Sequence, residues 1–246
     1  MTDVRKFAHG VTGLYNGGRF TNITAWGLPI YLELSGSKRK IYYNHNEYGF
    51  RGDHDPNCKR AAFGCSFTYG YELEEENTWP FLLKAKNYAV NGGSPQSVAR
   101  LVEAWVPDSN LEDIFVLTPP RARREIYNTL TETYTQATAY NLNMVARNLK
   151  GKQLWDVEFD PDDLMEFLDA FPHLNVLDSE KNDQILEDCI DRIERACDGR
   201  NLVILQSDSS PQMPTMDNMS RDRTHGGDSW NRKVSQVFSR ELEKLR

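Results

Sequence analysis

The chain has 246 residues, 39% of them hydrophobic and 26% charged, and a formal net charge of −7. That length suits one large domain or a domain with an extension, and the acidic balance gives no general attraction for nucleic acid or an anionic membrane surface. No run of about 18 apolar residues is present to span a bilayer, and Met1 to Gly10 lacks the apolar centre of a secretory signal, so a soluble cytoplasmic or otherwise intracellular protein is expected.

Residues 1–57 are rich in Gly, Asn, Tyr and Arg, with one alternating stretch. Leu28 to Leu34 and Lys40 to Tyr43 suggest a hairpin around Ser35-Gly36-Ser37. This segment has too few apolar residues to stand alone and reads as an N-terminal extension packed on a core domain of residues 58–246. From Lys59 the pattern becomes strand, turn, helix, repeated. Lys59 to Gly64 predicts a strand and Glu74 to Lys84 a helix with Trp79, Leu82 and Leu83 on its apolar face. Tyr88 to Val90 predicts a second strand; Ser94 then caps a helix with Pro95 at its first position.

Asp113 to Thr118 is continuously apolar after its first residue, as buried parallel strands are. Residues 121–150 read as a long polar helix, Pro161 to Ala170 as a helix capped by Asp160, and Leu174 to Leu177 as a short strand. Asp183 to Cys197 is strongly amphipathic, with Ile185, Leu186, Cys189, Ile190, Ile193 and Cys197 on one face and Gly199 beyond its end. Leu202 to Leu205 is a further strand, 207–229 a loop, and Trp230 to Leu245 a terminal helix. This alternation predicts a three-layer α/β/α sandwich around a mostly parallel, flavodoxin-like sheet. Ligands bind such sheets at the carboxyl ends of the strands, where Ser66, Gly92 and Pro119 all fall.

Two segments carry candidate chemistry. Gly64-Cys65-Ser66 places a hydroxyl at a strand-to-helix turn, where backbone N–H groups point outward and can stabilise an oxyanion. Asp222 and His225 lie three residues apart on a Gly-bounded loop, a spacing that lets the carboxylate fold back onto the imidazole. Gly92 lets backbone approach a substrate oxygen and offers a second N–H donor. Cys58, Cys65, Cys189 and Cys197 form no zinc-type array, and Cys189 and Cys197, about 12 Å apart on one helix, are too distant for a disulfide. Four reduced thiols are expected. The Asp53-His54-Asp55 and Asp160-Pro161-Asp162-Asp163 stretches lack calcium-loop spacing. Arg121, Arg123 and Arg124 make a local basic patch, and Met213, Met216 and Met219 are candidates to line an acyl pocket.

Taken together, these residues resemble the SGNH (GDSL-type) hydrolase superfamily. The first family block resembles Phe63 to Gly70 followed by Glu72-Leu73 and Thr78-Trp79-Pro80, with Asn46 to Gly52 as lead-in. The second resembles Asn87 to Gly92, and the last is the Asp222-x-x-His225 pattern before a helix. The resemblance implies Ser66 as nucleophile and first oxyanion donor, Gly92 as second donor, His225 as base and Asp222 as its orienting partner. Two departures stand out. Cys65 occupies the place of the family's usual Asp. The Asn of the third block is absent, because the third strand runs into Thr118-Pro119-Pro120-Arg121. Thr118 and Arg121 are the candidates to replace that donor, or, for the arginine, to recognise an anionic substrate group.

The expected activity is serine ester hydrolysis on an acylated carbohydrate or small molecule, with no metal or organic cofactor. The rival is an SGNH-like domain with little or no turnover that acts as a binding or structural module in an assembly or oligomer. Acyl transfer to a sugar hydroxyl uses the same triad with a different acceptor.

Overall fold

A computed structural model describes residues 46, 50–53, 55, 57–71, 73–128, 133–139, 142, 161–172, 175–208, 213–214 and 226–246. Four parallel strands form the central sheet: β1 (Arg60–Gly64), β2 (Lys86–Asn87), β3 (Asp113–Thr118) and β6 (Asn201–Gln206), in the order β2-β1-β3-β6. Formal pairing of β2 ends at Asn87, but the ladder continues. Tyr88 N–H donates to Ala62 O at 2.9 Å and Val90 N–H to Gly64 O at 2.9 Å. The expected strand over Tyr88 to Val90 is therefore the far end of a pairing that begins two residues earlier.

Alternation along the strands builds the two outer layers. Ala61 and Phe63 of β1 and Ile114 and Val116 of β3 face one helical layer. There they pack with Val98, Leu101 and Val102 of α3 (Pro95–Trp105) and Cys189 and Ile193 of α5 (Ser179–Ala196). Ala62, Phe115, Leu117, Val203 and Leu205 face the other. That side is covered by Trp79 of α2 (Trp79–Leu82) and by Trp230, Val234, Phe238 and Leu242 of α6 (Asp228–Glu243). The expected three-layer sandwich with a parallel sheet is what the chain forms. Phe50, 1% exposed, meets Tyr88 and Trp105 edge-on at 5.2 and 5.8 Å and joins the first core. The hairpin expected over 28–43 lies outside the described residues.

Three expected elements differ. Glu74 to Lys84 is not one helix: a 3-10 turn over Glu75–Asn77 is separated from α2 by extended Thr78. Glu74, Glu75 and Glu76 supply no apolar side chain to dock that half on the sheet. The segment read as a helix over 121–150 instead opens as an antiparallel pair, β4 (Arg123–Asn128) and β5 (Thr133–Thr138), in register from Arg123↔Thr138 to Asn128↔Thr133. Five threonines fall between 129 and 138, with Tyr127 and Tyr134 nearby, and such residues favour the pleated surface over the helix. Ile126 and Ala137 of this hairpin pack with Phe167 and Leu168 of α4 (Pro161–Ala170) and with Val176. Finally, Asn175 to Leu177 is not a strand: Val176 and Leu177 form a turn ahead of Asp178, whose side chain caps α5 by accepting from Lys181 N–H at 3.0 Å.

Candidate active site

The sheet order makes a topological switch point between β1 and β3: the chain leaves β1 toward β2 on one side, and β6 lies on the other side of β3. Gly64 and Leu117 are in register there, so Ser66 and Thr118 each leave the same sheet edge within two residues of that pair.

Cys65 is extended and fully buried, and α1 (Ser66–Tyr69) begins at Ser66. A buried thiol costs little in this apolar position. Ser66 is 3% exposed, and neither its N–H nor its hydroxyl bonds to any described residue. The far end of α1 is held tightly. Gly70 takes the left-handed conformation at φ +75, natural for glycine at a helix C-terminus. Buried Arg51 donates from Nη1 to the carbonyls of Tyr69 (2.8 Å) and Gly70 (2.6 Å) and from Nη2 to that of Leu73 (2.5 Å). Asn87 Nδ2 donates to the carbonyl of Thr68 at 2.9 Å, while its Oδ1 accepts from Ala89 N–H at 3.1 Å. The last-turn carbonyls of α1 are thus satisfied by side chains, while at its start the Ser66 N–H has no acceptor among the described residues.

Gly92 follows the β2 ladder at φ +77, its N–H has no acceptor among the described residues, and a Cβ there would meet nothing within 4 Å. Just beyond it, Ser94 and Ser97 form a reciprocal capping box at the start of α3, with bonds of 2.8 and 3.2 Å. Thr118 is 2% exposed, and its buried hydroxyl has no hydrogen-bond partner among the described residues. Arg121 is engaged elsewhere: its guanidinium bonds Asp183 at the start of α5 and, at 3.1 Å, Asp208 beyond β6.

Asp222 and His225 lie outside the described residues, as do Met216 and Met219; Met213 packs half-buried against the second core. The residue after His225 is described. Gly226 sits against the Trp230 indole so closely that a Cβ would come within 2.3 Å of the ring. The same indole meets the ring of Phe67, the residue after Ser66, at 5.8 Å. Buried Asn231 reinforces this junction. Its Nδ2 donates to the carbonyls of Gly226 (3.0 Å) and Gly227 (3.1 Å), and its Oδ1 accepts from Trp79 N–H at 3.0 Å. The immediate neighbours of Ser66 and His225 therefore share one aromatic side chain. Sequence reasoning missed Arg51, Asn87, Trp230 and Asn231. Arg51 and Asn87 fall within the quoted motif blocks, Asn46 to Gly52 and Asn87 to Gly92, which was the signal for them.

Among the described residues no three His, Cys, Asp or Glu side chains come together as metal ligands, and no helix is long and apolar enough to cross a membrane.

No family model and no curated protein matches the chain. Among solved structures it is similar to a member of the lipolytic G-D-S-L family from Veillonella parvula DSM 2008, at 13% identity and a TM-score of 0.32, over 73% of this chain and 95% of that one.

Proposed function

We propose that the chain is a serine ester hydrolase of the SGNH type, acting on an acyl group carried by a small molecule or carbohydrate. The observation that carries this reading is the pair of N–H groups, Ser66 and Gly92, that have no acceptor among the described residues and follow the paired strands β1 and β2 on one edge of the sheet. The shared contact of Phe67 and Gly226 with Trp230 supports the approach of the two motif loops.

Ser66 Oγ attacks the ester carbonyl carbon as His225 accepts its proton, and Asp222 holds the imidazole in the required tautomer. The oxyanion receives hydrogen bonds from Ser66 N–H and Gly92 N–H. His225 returns the proton to the departing alcohol. It then activates the water that splits the acyl-enzyme to a carboxylic acid and free Ser66. Thr118, whose hydroxyl has no partner among the described residues, takes the place of the missing third donor. Arg121 is left out of substrate contact because Asp183 and Asp208 already occupy it.

Labelling by a fluorophosphonate together with hydrolysis of a short aryl ester tests the assignment. Wild type is expected to do both and Ser66→Ala neither; equal behaviour of the two proteins removes the catalytic claim. Thr118→Val separates a catalytic hydroxyl from a packing one. Replacing an unsatisfied buried hydroxyl by a methyl is expected to leave stability unchanged or raise it by about 1 kcal/mol. Loss of an oxyanion donor lowers kcat by about 10²-fold. An unchanged kcat in a stably folded variant rules Thr118 out as a donor.

A further inference from the structure

The chain leaving β3 carries Arg121, Arg123 and Arg124 within four positions, in a protein of net charge −7. Their charges meet different fates. Arg121 is neutralised by Asp183 and Asp208. Arg124 is 4% exposed and donates from Nη1 to the carbonyl of Arg121 at 3.3 Å, so it is closed to solvent. Arg123 is half-buried. Its Nη1 donates to the carbonyl of Gly93 at 3.2 Å, and no carboxylate among the described residues pairs with it. The nearest acid along β4, Glu125, is already taken by Arg100 through bonds of 2.7 and 3.1 Å. The Glu125 N–H bonds Gln96 Oε1 at 2.9 Å, which holds β4 against the first turn of α3. The hairpin thereby delivers one guanidinium with no carboxylate partner among the described residues to the turn that bears Gly92.

We propose that Arg123 is a specificity-determining residue that recognises a carboxylate or phosphate group on the ester substrate. This rests on the serine-hydrolase reading of the same site. A guanidinium is a planar fork: with Nη1 anchored on Gly93 O, the Nε–Nη2 edge, which bonds no described residue, has the geometry for paired hydrogen bonds to an oxyanion-bearing group. The net charge of the protein repels such substrates at a distance, so a local cation beside the oxyanion turn is what selects them. Arg121, the more obvious candidate in the sequence, has its charge spent within the fold.

The test compares kcat/KM for three chromogenic esters, each normalised to its rate with hydroxide. They are 4-nitrophenyl acetate, mono-4-nitrophenyl glutarate (charge on the acyl side) and 4-acetoxy-3-nitrobenzoate (charge on the leaving group). The wild-type chain is expected to favour at least one charged ester over the neutral one by about tenfold, and the arm that responds identifies the side of the ester that is read. Arg123→Gln is expected to bring that ratio to about one, and Arg123→Lys to keep part of it. Raising NaCl to about 0.5 M is expected to shrink the wild-type ratio. If Arg123→Gln does not fold, the lysine variant and the salt series carry the test. Hydrolysis of all three esters without preference, or a preference that survives Arg123→Gln, overturns the assignment while the esterase reading stands. Hydrolysis of none overturns both.

Discussion

Ser66→Ala and His225→Ala are each expected to lower kcat for a short aryl ester by at least about 10³-fold, and the double variant is expected to be no worse than the more damaged single one. In the proposed mechanism the two side chains act in one step. Once Ser66 is gone, His225 has no proton to accept, so its removal takes away nothing further. Residues that merely hold the fold together damage it independently, and their losses add. The stability of Ser66→Ala makes the distinction sharper. Cys65, not Ser66, stands at the N-cap of α1, and the Ser66 hydroxyl bonds to no described residue. Truncating it is therefore expected to change unfolding free energy by no more than about 0.5 kcal/mol. Thermal melts alongside single-turnover kinetics check both statements. Additive losses, or a Ser66→Ala variant that loses activity only by unfolding, would remove the triad from consideration.

The layers of the sandwich were legible because their signals are local. β3 reads as an unbroken apolar run that only a doubly covered strand tolerates, and Ser94-Pro95 marks the start of α3 by chemistry confined to one turn. The hairpin was not legible. Its connection, Thr129-Leu130-Thr131-Glu132, has no glycine or Asn-Gly signal. Contacts made far away along the chain fix its position: Arg123 to Gly93, and Glu125 to Gln96 and Arg100, at separations of 25 to 30 residues. The same division runs through the site. A serine directly after a buried strand announces itself, and so does a glycine after the next one. The state of an arginine does not. Arg121 and Arg123 look equivalent in sequence, and it is Asp183 and Asp208, 62 and 87 residues beyond Arg121, that distinguish a paired cation from one with no carboxylate among the described residues.

Arg51→Met is expected to destabilise the chain by about 3 kcal/mol and, in the protein that remains folded, to slow fluorophosphonate labelling of Ser66 by about 10²-fold. Arg51 is 2% exposed, and its guanidinium serves three carbonyls at once, those of Tyr69, Gly70 and Leu73. Two of these belong to the end of the turn whose first residue is Ser66. A methionine fills comparable volume but removes three charge-assisted bonds at once, leaving the Tyr69 carbonyl with Asn87 Nδ2 at 3.4 Å and the Gly70 carbonyl with the Leu73 N–H at 3.1 Å, and this accounts for the stability loss. The rate effect has a separate origin. α1 is only four residues long, so a rotation that lets its last carbonyls find new partners also moves the Ser66 N–H and hydroxyl at the other end. Displacement of about 1 Å is enough to spoil attack geometry. Arg51→Lys keeps the charge but, as a point-like ammonium on a flexible stem, does not span three carbonyls, so it is expected to recover stability more than labelling rate. Arg51 is thus a positioning residue in this reading, acting through the turn and touching no substrate. If folded Arg51→Met labels at the wild-type rate, Arg51 stabilises the fold alone, and the aim of Ser66 is set instead by Cys65 and the end of β1.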